Sequence, residues 1–436
     1  MMEFGVKKRV CLLVTCFFIS VLADAPLEFA VTAQSFQPLK LLCAVDETSG
    51  ADCQRTAQQC AQLLTASGQF LATVERMPLP TTKQPMADLV QRGYAVALFF
   101  SGDEREIYWR LYDTFDVQLL VGKKNNIDAS AGYELAVTIA GHVFQLLTNQ
   151  DNSFTSLVAA CKRLPGRGRT QAALCLIHPF FDLGVFVPVV LVAKGNNFGP
   201  RWHSTRSVIF YSQHMPTNIR LMSVDSQKIS RVITNFDGQN MTPAIASDGR
   251  VVLALSTKKG MQLFNYHFDE SSKKGVFAQL THEKGDCISP SFLNSDEVVF
   301  CHIDERNVPR IGVLEISTQK TRWLVSGALC PMASPTGREF VYCKRINGFL
   351  QVFIYTISSQ KMRQLTRDAK GHKDECSWSP CGNYIVCSVE LGRGSRIAVV
   401  CVNDGALRFI TPANEYWSSP CWSPALYLPF SFGKNQ

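Results

Sequence analysis

Short apolar runs alternate with polar turns through the C-terminal half of the chain, and the pattern repeats every 41 to 47 residues. Each copy opens with proline or a substitute, and the six copies open at Pro200, Pro243, Pro290, Pro331, Cys376 and Pro420. A turn and a β-rich run follow each opening: Val208–Tyr211, Val251–Leu255, Val298–Cys301, Phe340–Cys343, Tyr384–Cys387 and Leu426–Leu428. Full-length copies then carry two more strand-like runs, so each repeat predicts four strands.

Four strands per repeat is the unit of a β-propeller blade, which must stack against its neighbours in a ring. Six copies therefore predict six blades. A β-sandwich has similar local turn spacing, but the long-range period favours the propeller. Aromatic residues recur at the third position of several copies, and we expect them to pack between blades; they are Trp202, Phe292, Trp378 and Trp422.

The last copy, Pro420 to Gln436, is long enough for only two strands. Two β-rich runs before the first copy, Gln171–Ile177 and Val187–Ala193, are available to complete its blade. Joining strands from both ends of the domain avoids open sheet edges, which invite aggregation. The sequence therefore predicts a six-bladed propeller over residues 171–436, closed by strands from both ends.

The first 23 residues resemble a secretory signal peptide: Lys7-Lys8-Arg9, the apolar run Val10–Leu22, and then Ala23. A membrane-spanning helix needs about 20 apolar residues, more than this run provides. A lipoprotein signal would use Cys16, but Thr15 before it is larger than usual for such a site. The pattern favours export and removal of residues 1–23.

Residues 24–160 alternate strand and helix patterns. Helical periodicity predicts helices over Ala51–Ala66 and Tyr133–Leu147. Strands are predicted over Leu27–Thr32, Leu39–Val45, Tyr94–Phe100, Glu106–Asp113 and Val117–Gly122. Helices interspersed with strands predict a small mixed α/β domain. Residues 161–170 are basic and contain proline and glycine, which predicts a linker to the propeller.

Charge and cysteine content add little to this picture. The net charge is +8, but the basic residues are scattered and accompany no aromatic platform, so nucleic-acid binding is not expected. The 16 cysteines have no spacing typical of a disulfide framework. Several fall in strand positions where cysteine behaves as a small buried hydrophobe, and pairs between blades remain possible.

No catalytic motif is present. The chain contains neither Gly-x-Ser-x-Gly nor His-Glu-x-x-His. His372 with Cys376, Cys381 and Cys387 resembles a zinc ligand set, but the repeat accounts for Cys376 and Cys381. We therefore expect a non-enzymatic binding protein without metal or cofactor, the alternative being a secreted propeller enzyme of the metal-dependent lactonase or cyclase type.

The loops that lead into the innermost strands surround one mouth of a propeller. Here they are polar and varied: Gly195–Asn197, Asp237–Asn240, Lys284–Asp286, Gly371–Glu375 and Asn414–Trp417. Loops held on a rigid scaffold often carry binding function. We expect this ring of loops to bind a protein partner.

The combination of a signal peptide, a small α/β domain and a propeller repeat of the form Pro-x-Trp-Ser-Pro-Asp-Gly resembles the TolB family, the periplasmic components of bacterial Tol-Pal systems. Tyr108–Asp113 and Glu134–Phe154 carry the likeness in the first domain. The resemblance implies a periplasmic protein that links the outer-membrane lipoprotein Pal with the inner-membrane protein TolA. In that family the network supports envelope integrity and outer-membrane constriction during cell division.

Site residues follow from the resemblance. Asn240, Asp374 and Glu375 match family positions in the mouth loops, which implies contact with a Pal-like lipoprotein. The alternating segment with Leu27, Phe29 and Val31 occupies the place of the TolA-binding segment. The protein would then be peripheral to membranes, held there by its partners.

Overall fold

The computed structural model describes residues 37–80, 84–127, 133–165, 171–182, 184–241, 243–269, 274–368, 371–392 and 394–424. The predicted signal peptide, the segment with Leu27, Phe29 and Val31, and the run Leu426–Leu428 lie outside the described residues. Within these ranges, no helix is both long and apolar enough to cross a bilayer.

The first part of the described chain is a five-stranded sheet with helices on both faces. Its elements are β1 (Leu39–Val45), α1 (Ala51–Ala66), β2 (Phe70–Arg76), α2 (Gln84–Gln91), β3 (Val96–Gly102), β4 (Glu106–Asp113), β5 (Gln118–Asn126) and α3 (Glu134–Thr148). The strand order is β2-β1-β3-β4-β5, with β1 parallel to β2 and β3. Alternate residues of β1 face opposite sides: Leu41 packs with α1 and α3, and Leu42 with α2.

Three strands follow: β6 (Val158–Leu164), β7 (Gln171–Ile177) and β8 (Val189–Val192). Blade 1 comprises β9 (Asn196–Trp202), β10 (Val208–His214), β11 (Ile219–Asp225) and β12 (Ser230–Thr234). Blade 2 comprises β13 (Ala244–Ile245), β14 (Val251–Thr257), β15 (Gly260–Asp269) and β16 (Lys274–Gln279). Blade 3 comprises β17 (Asp286–Phe292), β18 (Glu297–Ile303), β19 (Pro309–Glu315) and β20 (Lys320–Ser326). Each blade is antiparallel, and its first strand is the innermost.

Blades 4 and 5 continue the pattern with β21 (Ala328–Ala333), β22 (Glu339–Ile346), β23 (Phe349–Thr356) and β24 (Lys361–Gln364), then β25 (His372–Trp378), β26 (Tyr384–Glu390), β27 (Ser395–Cys401) and β28 (Leu407–Phe409). The sixth blade has β29 (Trp417–Trp422) as its inner strand, followed by β6, β7 and β8. The six sequence repeats therefore fold as a six-bladed propeller.

The sixth blade differs from the prediction in its second strand. The runs before the first repeat contribute β7 and β8, as expected, but the strand beside β29 is β6, so residues 161–164 of the predicted linker belong to the propeller. Val158 to Cys161 are buried apolar residues. The cations of Lys162 and Arg163 lie over the rings of Trp417 and Tyr416, each 5.3 Å from the ring centroid. These contacts accommodate charged side chains in a central strand.

Among the described residues, a bulge interrupts the inner strand of blades 1, 3, 4, 5 and 6. The backbone has positive φ at Gly199, Ser289, Cys330, Glu375 and Ser419, where the pairing register with the second strand shifts. The repeat's opening proline, or Cys376 in its place, comes directly after each of these residues. A bulge tolerates proline because the ladder is interrupted there and the missing amide costs little.

The α/β unit packs on blades 5 and 6, and the described residues from Pro38 onward form one compact unit. The Tyr384 hydroxyl donates to the Ser67 carbonyl over 2.8 Å. Phe154 meets Phe180 with ring centroids 5.1 Å apart. One buried apolar cluster runs from α1 through β6 and β7 to β26 and β27. The two predicted domains therefore share a core.

A buried histidine lies in this shared core. His178 Nδ1 accepts hydrogen bonds from the amides of Phe180 and Phe181, both over 3.2 Å, and Nε2 donates to the Phe154 carbonyl over 3.0 Å. This pattern requires the neutral ring with its proton on Nε2. Burial lowers the pKa of His178 from 6.5 to about 3.

Candidate functional site

A cavity of about 420 Å³ opens at the mouth where the inner strands begin, between blades 4, 5 and 6. Its walls come from the inner strands β25 and β29 and from the turns that join β22 to β23 and β26 to β27. The lining residues are Arg345, Leu350, His372, Asp374, Glu375, Ser388, Glu390, Gly392, Gly394, Ser395, Tyr416, Trp417 and Ser418. We call this the acidic mouth, since three carboxylates face one guanidinium.

Glu375 occupies the bulge of β25, which turns it toward the neighbouring blade. Its Oε2 accepts from the Ser419 amide over 2.5 Å and from the Ser388 hydroxyl over 3.2 Å. Its Oε1 accepts from the Ser419 hydroxyl over 2.8 Å. Hydrogen bonds to an ionised carboxylate are stronger than neutral ones. The Glu375 charge is therefore held in one position across the seam between blades 5 and 6.

Asp374 lies on the other side of the same strand, toward blade 4. Its Oδ1 accepts from the Glu375 amide over 2.7 Å. Burial raises the pKa of the Cys330 thiol well above its usual value, and the nearby charge of Asp374 raises it further. The structure thus brings the predicted residues Asp374 and Glu375 together in one cavity wall.

An aromatic and charged cluster forms the blade 6 side of the mouth. Trp417 is buried, and its Nε1 donates to Glu415 Oε2 over 2.6 Å. Lys162 Nζ bridges to Glu415 Oε1 over 2.7 Å. Burial by itself would raise the pKa of Glu415, but the hydrogen bonds from Lys162 and Trp417 outweigh it and lower the pKa. Tyr416 remains exposed on the rim, with Arg163 stacked on it.

Asn240 differs from its predicted role as a partner contact. The residue is fully buried, and its Nδ2 donates to the carbonyls of Ile219 and Phe236 over 2.7 and 2.8 Å. Its Oδ1 accepts from the Phe236 amide over 3.2 Å. All of its side-chain polar atoms are thus used within the protein. Asn240 holds the loop into blade 2 in shape and presents no side chain to a partner.

Sequence reasoning missed part of this site. Arg345 and Glu390 lie at the C-terminal ends of β22 and β26, which return to the same mouth because strands in a blade alternate in direction. The alternation of strand direction could have been inferred from the sequence and would have predicted these two residues. The contact of Ser419 with Glu375 could not have been inferred, because it joins two different blades.

The opposite mouth is apolar. Its cavity of about 460 Å³ is lined by the third repeat position of every blade: Trp202, Ile245, Phe292, Ala333, Trp378 and Trp422. Trp378 Nε1 donates to the Met332 carbonyl over 3.0 Å, and Trp202 Nε1 to the Cys421 carbonyl over 3.0 Å. These bonds cross between blades, which confirms the predicted packing role of the aromatic residues.

The described ranges contain no group of three or more His, Cys, Asp or Glu side chains placed to hold a metal ion. His372, considered above as a zinc ligand, accepts at Nδ1 from the Leu350 amide over 3.2 Å. Two of the cysteines that the sequence pattern grouped with it, Cys376 and Cys387, are buried in the seam between blades 4 and 5. His372 therefore supports the start of β23.

Known proteins resemble this chain over most of its length. The model of the TolB beta-propeller domain matches residues 144–426. The Tol-Pal system protein TolB of Francisella tularensis subsp. tularensis strain WY96-3418 is 24% identical over 341 residues, which are 72% of this chain and 76% of that protein. TolB of subsp. holarctica strain OSU18 matches with the same identity and coverage. The crystal structure of TolB from Acinetobacter baumannii has a TM-score of 0.77 and 18% identity, covering 89% of this chain and 97% of its own.

Proposed function

We propose, because the chain belongs to the TolB β-propeller family, that it is a non-catalytic periplasmic component of a Tol-Pal envelope system. In this proposal the acidic mouth binds a Pal-like outer-membrane lipoprotein, and the N-terminal segment binds a TolA-like inner-membrane protein. The assembly would maintain envelope integrity and outer-membrane constriction during division. The relatives named as Tol-Pal system proteins support the general role.

The observation that carries the partner site is the fixed carboxylate of Glu375. Three hydrogen bonds hold it before any partner arrives, so binding needs little further ordering of this side chain. With Asp374 and Glu390 it makes the cavity net negative despite Arg345. Such a cavity suits a lysine or arginine side chain of the partner, and exposed Tyr416 offers apolar contact on the rim.

The N-terminal contact is proposed from the sequence pattern. Leu27, Phe29 and Val31 alternate with other residues as in a strand that adds to the edge of a partner's sheet. Deleting residues 24–34 should abolish only the recovery of the inner-membrane partner. Loss of propeller folding in that variant would contradict a modular role for this segment.

A pull-down from envelope extract tests the mouth. The unaltered chain should recover a peptidoglycan-associated lipoprotein. The double variant Asp374→Asn/Glu375→Gln keeps the side-chain shapes but removes two charges, and losing a buried charge pair costs about 2–5 kcal/mol. We therefore expect the dissociation constant for the lipoprotein to rise about 30-fold or more, and the recovered amount to fall accordingly.

Glu315→Gln is the matched control, because Glu315 is an exposed carboxylate at the C-terminal end of β19, at the opposite end of blade 3 from the mouth loops. It should recover the lipoprotein like the unaltered chain. Failure of the unaltered chain to recover any lipoprotein, or equal recovery by the double variant, would count against the proposed site. Far-UV circular dichroism of each variant separates lost binding from lost folding.

A further inference from the structure

Two thiols from neighbouring blades touch beneath the acidic mouth. Cys343 lies on β22 of blade 4 and Cys376 on β25 of blade 5, with their sulfurs 3.7 Å apart. Both residues are buried. Cys387 on β26 belongs to the same buried cluster, whose other members are apolar side chains of the two blades.

We propose that Cys343 and Cys376 form a disulfide that fastens blade 4 to blade 5 directly below the acidic mouth. A disulfide needs the sulfurs to be about 2.0 Å apart, so they must approach by less than the width of an atom. The two residues belong to different blades, so the bond would close a loop across the seam. The inference rests on the proposed export, since disulfides persist in oxidising compartments.

The chemistry balances with a disulfide oxidant, either glutathione disulfide or an exported thiol oxidoreductase with a reactive disulfide. The thiolate of one cysteine attacks a sulfur of the oxidant, breaks the oxidant's S–S bond and forms a mixed disulfide, while the oxidant's other sulfur leaves as the first thiol. The second thiolate then attacks that cysteine's sulfur and releases the oxidant as a thiol. The two cysteines lose two protons and two electrons in total, and the oxidant's disulfide gains them as two thiols.

Burial decides when this exchange happens. The hydrogen bond from Cys376 lowers the pKa of Cys343, but burial and the nearby charge of Asp374 together outweigh it and raise the pKa to about 11. The thiolate is the reactive form, and it is scarce and inaccessible in the folded protein. The bond therefore forms while blades 4 and 5 assemble, and a chain folded in reductant stays reduced until it is unfolded.

The position of the bond connects it with the mouth. Cys376 directly follows Glu375, the bulge residue whose carboxylate reaches Ser419 of blade 6. Asp374, one residue further back, lies toward Cys330 and Cys343 of blade 4. Fastening Cys376 to β22 would thus limit the movement of both acidic residues. The disulfide is a structural support for the site and takes no part in binding itself.

Peptide mapping of the full chain tests the proposal. The chain is unfolded in reductant, refolded in a buffer of reduced and oxidised glutathione, unfolded again with N-ethylmaleimide, and digested without reductant. We expect most molecules to yield a peptide that joins Cys343 to Cys376, and Cys387 to carry the maleimide. Alkylation of both Cys343 and Cys376, or a bond from Cys376 to Cys387, would overturn the inference.

Two variants sharpen the result. Cys387→Ser should leave the cross-linked peptide unchanged, whereas Cys343→Ser should remove it and leave Cys376 alkylated. The mapping of the unaltered chain requires no substitution, so a variant that fails to fold does not decide the outcome. Because the measurement involves no lipoprotein, a negative pull-down and a missing disulfide are separate results.

Discussion

Single residues at the inner-strand bulges determine which chemical groups face the central channel. Among the five described bulge positions only Glu375 places a carboxylate there; the others are Gly199, Ser289, Cys330 and Ser419. A non-glycine residue with positive φ costs about 1–3 kcal/mol, which the surrounding ladder must offset. The bulge of Ser419 also turns its amide toward Glu375. Two neighbouring strained residues thus form one charged contact.

The pH dependence of folding stability depends on a single buried residue, His178. It is neutral when folded, because burial lowers its pKa to about 3, whereas an unfolded histidine has a pKa of about 6.5. Between these values the unfolded chain binds a proton that the folded chain does not. Stability therefore falls as the pH drops below about 6.5, with a limiting slope of about 1.4 kcal/mol per pH unit.

His178→Gln removes this titration. We expect the unaltered chain to lose about 1.7 kcal/mol of unfolding free energy from this group between pH 6.5 and 5, and the variant to lack that loss. Urea unfolding at several pH values measures the slope. His282→Gln alters an exposed histidine and should keep the slope of the unaltered chain. Equal slopes for all three proteins would show that His178 does not titrate as argued.

At the scale of elements, β6 is decisive because it joins the beginning and the end of the propeller. It pairs with β29 on one side and β7 on the other, so its backbone groups are satisfied by residues far apart in sequence. Strand β8 pairs only with β7 and forms the outer edge of the same blade. The two strands should therefore respond differently to the same backbone change.

Proline tests this difference. Cys161 lies in β6 and pairs with Ser418 and Leu174, so Cys161→Pro should prevent stable folding or cost about 3 kcal/mol or more. Val190→Pro changes the outer strand β8, where proline is better tolerated, and should cost much less. Urea midpoints of the two variants give the comparison. A harmless Cys161→Pro would restore the prediction that residues 161–170 are a linker.

At the scale of the whole molecule, the two ends of the channel differ in chemistry. One mouth carries polar loops and the three carboxylates of the acidic mouth, and the other is lined by tryptophan, phenylalanine and isoleucine. The repeat explains this polarity, because every blade places its apolar third position at the same end. The shared core joins the α/β unit to blades 5 and 6 through Tyr384, Phe180 and Phe154.

We expect the α/β unit and the propeller to unfold together as one cooperative unit, because separating them would expose this core. Far-UV circular dichroism and tryptophan fluorescence should give coincident thermal transitions. Tyr384→Ala removes a buried ring and its bond to Ser67, which should cost about 3–5 kcal/mol and shift both signals equally. Tyr355→Ala removes a buried ring inside the propeller and should also shift both signals equally. Two resolved transitions in either variant would show that the units are independent.

For several elements, the sequence predicted the first and last residues correctly. Helix α1 and strands β1 and β4 have the predicted bounds, since their apolar periodicity matches their burial. Strand β2 and helix α2 were missed: β2 lies at an edge and has one buried residue, and α2 is short, with two buried residues. Periodicity is weak where burial is weak.

The sequence by itself determined the six-fold repeat, the inner position of each opening segment and the polar character of one mouth, because these follow from local patterns repeated along the chain. Only the tertiary structure decided that β6 completes the last blade, that Asn240 is buried, and that Ser419 holds Glu375. Each of these depends on contact between segments that are distant in sequence. No local pattern of apolar and polar residues specifies which distant strands become neighbours.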